Sequence, residues 1–194
     1  MKNNSYKKLF SKRLFAIISG ALVPLSFSPF DIYFLSIFSL IAIFYLCSKT
    51  KTARECFILG YLFGFAMFAM GVNWLHISID LFGGVNLFFA LFFTYTLVAF
   101  ISLYPALAGY ITIKYFKSNF LIYIPIFWVL FEWARGWILT GFPWLNIGTS
   151  QTNSILVNFA PVIGDYGVSF IVCVIASATI KVFSYHTKEK FVYI

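Results

Sequence analysis

The sequence has 194 residues, of which 61% are hydrophobic and only 10% charged, and it carries a net charge of +8. A soluble domain carries about 25% charged residues, so this chain cannot cover a water-facing surface with polar groups, and the composition points to an all-α integral membrane protein. The basic residues do not interleave with aromatics as on a nucleic-acid platform, so the charge predicts no nucleic-acid partner.

The first apolar run follows a basic start, "MKNNSYKKLFSKRLFAIISGALVPLSF". It has the look of a secretory signal, but no small-residue cleavage site follows and a second run comes at once. It is read as a retained first span near 14–30, interrupted by Pro24 and Pro29. Further spans are predicted near 33–48, 56–75, 86–113, 119–139 and 167–184, giving a bundle of about six transmembrane helices in a single domain over 1–194. The stretch 140–166 is an outer loop, with Gly141, Pro143, Gly148, Pro161 and Gly164 and few charges. It reads as a re-entrant or interfacial segment, because non-helical backbone at membrane depth survives only when buried in protein or lining a cavity.

With six crossings, 13 of the 14 basic residues fall on one side. The positive-inside rule makes that side, and the N-terminus, cytoplasmic. The opposite side holds Arg135 together with Asp31, Asp80, Glu132 and Asp165. Trp74, Trp133, Trp137 and Trp144 lie near that outer boundary, where tryptophans form interfacial belts.

Span three carries Gly60, Gly64 and Gly71 on one stripe, the pattern that lets a neighbouring helix backbone approach closely. Intramolecular packing is favoured over a dimer contact. His76 and Asp80 follow at a spacing of four and predict an interfacial hydrogen bond. No metal site is expected, since the other histidine, His186, lies at the opposite end, and three cysteines (Cys47, Cys56, Cys173) at irregular spacing give neither a disulfide framework nor a metal set. No cofactor is expected either.

Glu132 and Arg135 are three apart and so neighbours on a helix. An ionisable group in a membrane span is costly and is by default a functional candidate with a partner. Two readings stay open. In one, the two charges satisfy each other at the helix end and stiffen the loop beyond it. In the other, Arg135 meets a phosphate of a lipid headgroup. Glu132, Arg135, Trp144 and Trp74 are the candidates for lining an outer substrate or lipid cleft.

Three stretches carry a resemblance: "LSFSPFDIYFLSIFSL", "GYLFGFAMFAMGVNWLHISIDLFGG", and "FEWARGWILTGFPWLNIGTSQ" extended through "APVIGDYGVSF". In order and spacing the chain resembles the apolipoprotein N-acyltransferases of Gram-negative bacteria. The E-x-x-R-G-W, G-F-P-W-L and G-x-Y-G run is the most specific part. The resemblance implies an inner-membrane enzyme, with these motifs on the periplasmic side. It moves an acyl chain from a phospholipid to the amino group of a diacylglyceryl lipoprotein's cysteine. It also implies an eight-span bundle with a nitrilase-like domain inserted before the last span, whose cysteine, activated by a glutamate with a lysine nearby, forms a thioester.

The 194 residues stop near where a seventh span would begin, and "KFVYI" would be its first residues. No residue here takes over the catalytic glutamate, lysine or cysteine; Cys173 sits mid-span, where a thiolate is disfavoured. The expectation is therefore the membrane part of such an enzyme, truncated or split, not catalytic alone. It would anchor and present phospholipid and lipoprotein to a nitrilase-like domain, which could be a separate polypeptide. The alternatives are a non-enzymatic lipid- or partner-binding membrane module, or a truncated relic. A small transporter is disfavoured for want of an inverted repeat and a mid-membrane charge.

Overall fold

The computed structural model describes residues 2–190, so the segment Phe191–Ile194 read as the start of a seventh span lies outside the described residues. The described chain is all-α: α1 Lys2–Leu22, α2 Phe34–Ser48, α3 Ala53–Gly71, α4 Leu75–Gly83, α5 Leu87–Ile101, α6 Leu103–Phe116, α7 Phe120–Arg135 and α8 Ala160–Lys190. Four stretches are long and apolar enough to cross a membrane: Leu9–Ser26, Ala53–Gly71, Leu87–Arg135 and Ile155–Tyr185. α2 is apolar but has 15 residues, a rise of about 22 Å against a hydrocarbon core of about 30 Å.

The helix boundaries follow local chemistry. α1 starts well before the predicted span and ends at Leu22, where Pro24 enters a single 3-10 turn, Val23–Ser26. α3 opens on a capping arrangement: Thr52 accepts from the Glu55 amide at 3.2 Å, and Glu55 accepts from the Lys51 amide at 3.2 Å. Glu55 also receives Lys12 of α1 at 2.8 Å, tying the ends of α1 and α3 together.

The predicted span 86–113 falls on two helices. Asn86 caps α5 through the Phe89 amide, and the chain bends at Ser102 before resuming as α6. Pro105 accounts for the bend: it has no N–H for the Ile101 carbonyl and its ring crowds that turn. The Ser102 hydroxyl bonds the Val98 carbonyl at 2.6 Å. α7 also carries a proline, Pro125, in its interior. After a three-residue turn, Lys117–Asn119, α7 packs back along α6.

Phe44 of α2, Phe63 of α3 and Trp128 of α7 form the centre of the core. Their rings meet edge to face, with the tryptophan 5.5 Å from Phe44 and 6.0 Å from Phe63. Glycines set the helix spacing. A Cβ on Gly20 would stand 2.1 Å from the Phe63 carbonyl oxygen, so α1 rides directly on the α3 backbone. Gly60 and Gly64 lie against Pro105, Ala106 and Ser102 of the bent helix, whereas Gly71 faces the Leu145 side chain rather than a helix. The outer faces are apolar, with Phe15, Ile18, Phe38, Phe92, Ile122, Ile126 and Val182 exposed. A soluble bundle would place polar residues there; this surface suits lipid, and the chain is a multi-pass membrane-type protein.

Candidate functional site

Glu132, Arg135 and Asp165 gather where α7 ends and the chain wanders before and into α8. The predicted loop 140–166 is built rather than loose. It contains the 3-10 turns Gly148–Gln151 and Ile155–Phe159 and the first turn of α8, which breaks at Gly164 (φ 70°, ψ 178°). Where the loop begins, Leu139, Thr140 and Gly141 all take positive φ (54°, 72° and 82°). Two consecutive non-glycine residues in that region are uncommon, so the surrounding bonds must hold this hairpin-like reversal.

Those bonds come from Arg135. The side chain is 2% exposed. Its Nη1 donates to the Phe142 carbonyl at 2.6 Å and to the Trp144 carbonyl, and its Nη2 donates to Asn146 Oδ1 at 2.7 Å. The guanidinium also lies over the Phe68 ring, 5.0 Å from its centre. The Arg135 backbone carbonyl takes the Phe142 amide at 2.8 Å. The planar fork of arginine suits this, because its donors diverge toward several acceptors at once.

Glu132 is equally buried, at 6% exposed. Its Oε1 accepts the Ile147 amide at 2.8 Å. Oε2 is buried with the Ser169 hydroxyl as its hydrogen-bonding neighbour. The expectation that Glu132 and Arg135 satisfy each other directly is corrected here. Among the described residues the ion pair within 4 Å is Lys12–Glu55, while Glu132 and Arg135 attract across a longer gap. At the end of α7 both side chains meet incoming loop backbone first, and buried charges there are offset by amides and carbonyls.

The network continues. Asn146 Nδ2 donates to Asp165 Oδ2 at 2.7 Å, and the Thr149 hydroxyl donates to Asp165 Oδ1 at 3.0 Å. The Gly148 amide donates to the Ser169 hydroxyl at 2.7 Å. Gln151 Nε2 reaches the Ser36 hydroxyl at 2.9 Å, and Ser150 bonds the same hydroxyl at 2.9 Å. The segment 142–151 is thus stitched to α2, α7 and α8. Asp165 was named only among the outer-side acids, and Asn146, Ser169 and Gln151 were not singled out in the sequence, although a lone asparagine inside the apolar run P-W-L-N-I was a usable signal.

Two cavities adjoin this network. A cleft of about 210 Å³ has Leu97, Phe100, Ile101 and Tyr104 on one wall and the segment 138–142 on the other, with Arg135 between them. A smaller, partly open cavity of about 20 Å³ is lined by Met67, Tyr104, Trp128, Glu132 and Arg135 among others. Of the four candidate cleft residues, Glu132 and Arg135 line these spaces. Trp144 is half-exposed with its ring 4.8 Å from that of Phe142, and Trp74 sits exposed ahead of α4; neither lines the two cavities. The predicted His76–Asp80 bond does not form among the described residues; His76 Nδ1 turns to the Asn73 carbonyl instead.

The sequence matches a known family along most of its length. The family described as the apolipoprotein N-acyltransferase N-terminal domain covers residues 19–178. The chain is 38% identical over 155 residues to an apolipoprotein N-acyltransferase of Vibrio cholerae, covering 78% of this chain and 30% of that protein. It is 36% identical over 183 residues to one from Pasteurella multocida, covering 92% of this chain and 35% of that protein. A Haemophilus influenzae relative is 39% identical over 157 residues, covering 81% of this chain and 30% of that protein. The chain spans about a third of the length of these curated relatives. With the family's domain matched from α1 to α8, the chain belongs to the apolipoprotein N-acyltransferase family.

Proposed function

We propose that this chain is the membrane part of an apolipoprotein N-acyltransferase, sited in the bacterial inner membrane, which anchors the enzyme and presents a phospholipid acyl donor and a diacylglyceryl lipoprotein at its periplasmic face. The catalytic step belongs to a nitrilase-like part, whether joined or separate. The one observation that carries the reading is the 210 Å³ cleft beside Arg135. Its walls are apolar, from α5, α6 and the segment 138–142, and its polar edge is Arg135 with Tyr104. A pocket for a whole drug-sized ligand needs about 300 Å³ or more, so the cleft suits a portion of one acyl chain near its ester, with the rest in the bilayer.

The basic residues concentrate at the opposite ends of the helices, which supports placing this cleft outside. Arg135 has its donors turned to Phe142, Trp144 and Asn146, so its role is to shape the cleft rim rather than to grip a headgroup phosphate.

The test is photo-crosslinking. The chain in membranes is exposed to a phospholipid with a diazirine in its acyl chain, and labelled peptides are mapped. Enrichment at Leu97, Phe100 and Leu139 over the lipid-facing control Ile122 is the expected result. Uniform labelling of all apolar faces would remove the cleft as a specific acyl site. Adding the chain to cells depleted of N-acyltransferase, with and without a nitrilase-like polypeptide, separates a working enzyme part from a non-enzymatic membrane module.

A further inference from the structure

Tyr104 stands just past the bend at Ser102, with its ring edge-on to Phe100 at 6.0 Å. The residue is 7% exposed, yet its hydroxyl makes no hydrogen bond among the described residues. Tyr104 lines both the 210 Å³ cleft and the smaller cavity beside it. Unlike the Trp128 indole nitrogen, its oxygen is not sealed off by protein. A buried phenol usually finds a partner, and here the partner has to come from the cleft.

The other polar side chains of the cleft are committed. The Thr140 hydroxyl donates to the Leu139 carbonyl. Arg135 donates to the Phe142 and Trp144 carbonyls and to Asn146. Its guanidinium is also the charged neighbour of the phenol. Beside a cation a hydroxyl turns its lone pairs toward the charge and its proton away, so Tyr104 is set to donate. The remaining cleft wall, with Leu97, Phe100, Ile101 and Leu139, is apolar. An apolar slot with one hydroxyl donor at its edge matches an acyl chain whose ester carbonyl only accepts.

We infer that Tyr104 is a substrate-binding residue, whose hydroxyl donates to the ester carbonyl of an acyl chain lying between α5 and segment 138–142. This rests on the cleft reading given under Proposed function and adds what that reading lacks, a contact that selects the linkage. The hydroxyl favours ester-linked over ether-linked chains and fixes the depth at which the ester stops. A phospholipid and a diacylglyceryl lipoprotein both carry such esters.

The test uses the full chain in nanodiscs of a diether phospholipid, whose linkages have no carbonyl. Three diazirine probes are added at trace level: a diester phospholipid, its diether counterpart and a diacylglyceryl lipopeptide. Labelling at Leu97, Phe100 and Leu139 is compared with Ile122. In the unaltered chain an ester probe should exceed the ether probe by roughly two- to tenfold, the ratio that one neutral hydrogen bond gives. Tyr104→Phe should remove that excess, and which ester probe shows it identifies the source. The variant gives up no internal bond, so its thermal transition should match that of the unaltered chain. Equal labelling by ester and ether probes, an ester excess that survives Tyr104→Phe, or a clearly lowered transition in the variant overturns the contact and leaves the cleft standing. Labelling no higher than at Ile122 with every probe overturns the cleft reading and this contact with it.

Discussion

Arg135 Nη2 and Asn146 Oδ1 meet at 2.7 Å across eleven positions of chain, and Asn146 then passes its own amide to Asp165 at 2.7 Å. One buried asparagine side chain thus joins the end of α7 to the start of α8. Its two ends are used oppositely: the oxygen accepts from a cation and the nitrogen donates to a carboxylate. Neither aspartate nor leucine, which are close in size, reproduces that polarity.

Asn146→Leu therefore leaves Arg135 with a donor unmet and Asp165 with an acceptor unmet. Hydrogen bonds to charged groups contribute about 1.5–3 kcal/mol each. The expected outcome is a loss of roughly 2–4 kcal/mol, discounted because Asp165 is only half-buried and recovers water. The buried thiols Cys47, Cys56 and Cys173 provide the readout: heating in detergent with a thiol-reactive fluorophore should show a clearly lower transition temperature for the variant.

Arg135→Lys keeps the charge and tests the fork. A lysine ammonium is a point donor on a flexible stem and cannot reach the Phe142 and Trp144 carbonyls and Asn146 together. Segment 138–146, with Leu139, Thr140 and Leu145 at positive φ, loses the bonds that hold it. Limited proteolysis should cut within 138–146 in the variant at a protease dose that leaves the unaltered chain whole. Equal resistance would show that the arginine does not hold the loop.

Much of the fold was legible in the sequence because bilayer spans announce themselves as apolar runs. The bend at Ser102 was hidden within one continuous run, and only Pro105 marked it. The start of α1 was missed because Lys7, Lys12 and Arg13 lower local hydropathy without preventing helix. At the site, Glu132 and Arg135 stood out as rare charges, and their spacing suggested a pair. What decided their partners was the return path of residues 142–148, a tertiary fact that periodicity does not encode. A tryptophan in an apolar span looks like core, and Trp128 is core, packed edge to face against Phe44 and Phe63.

Lys12–Glu55 gives a counter-case. Its oxygen–nitrogen distance is 2.8 Å, and both side chains keep about a fifth of their surface exposed, at 22% and 23%. Pairs with solvent access contribute about 0–1 kcal/mol. Lys12→Met should therefore lower the unfolding transition only slightly, far less than Asn146→Leu, and raising salt should shrink the difference further. A loss as large as that of Asn146→Leu would mean the α1–α3 end is a major anchor.

Gly20 and Gly83 make the last comparison, since both are helical glycines with opposite surroundings. A Cβ on Gly20 would sit 2.1 Å from the Phe63 carbonyl oxygen and 3.0 Å from its Cα, and backbone cannot step aside. On Gly83 the nearest atom would be Val85 Cγ2 at 3.7 Å, an ordinary contact. In a helix, alanine is favoured over glycine by about 0.5–1 kcal/mol, so Gly83→Ala should leave stability unchanged or slightly raised. Gly20→Ala gains the same propensity but forces α1 away from α3, and overpacking costs about 1–3 kcal/mol. The separation also strips contact from Ala16 and Phe63, both fully buried. The thiol-probe melting curve should fall for Gly20→Ala and hold for Gly83→Ala. A fall of equal size in both would show that the close α1–α3 crossing is not the cause of the Gly20→Ala effect.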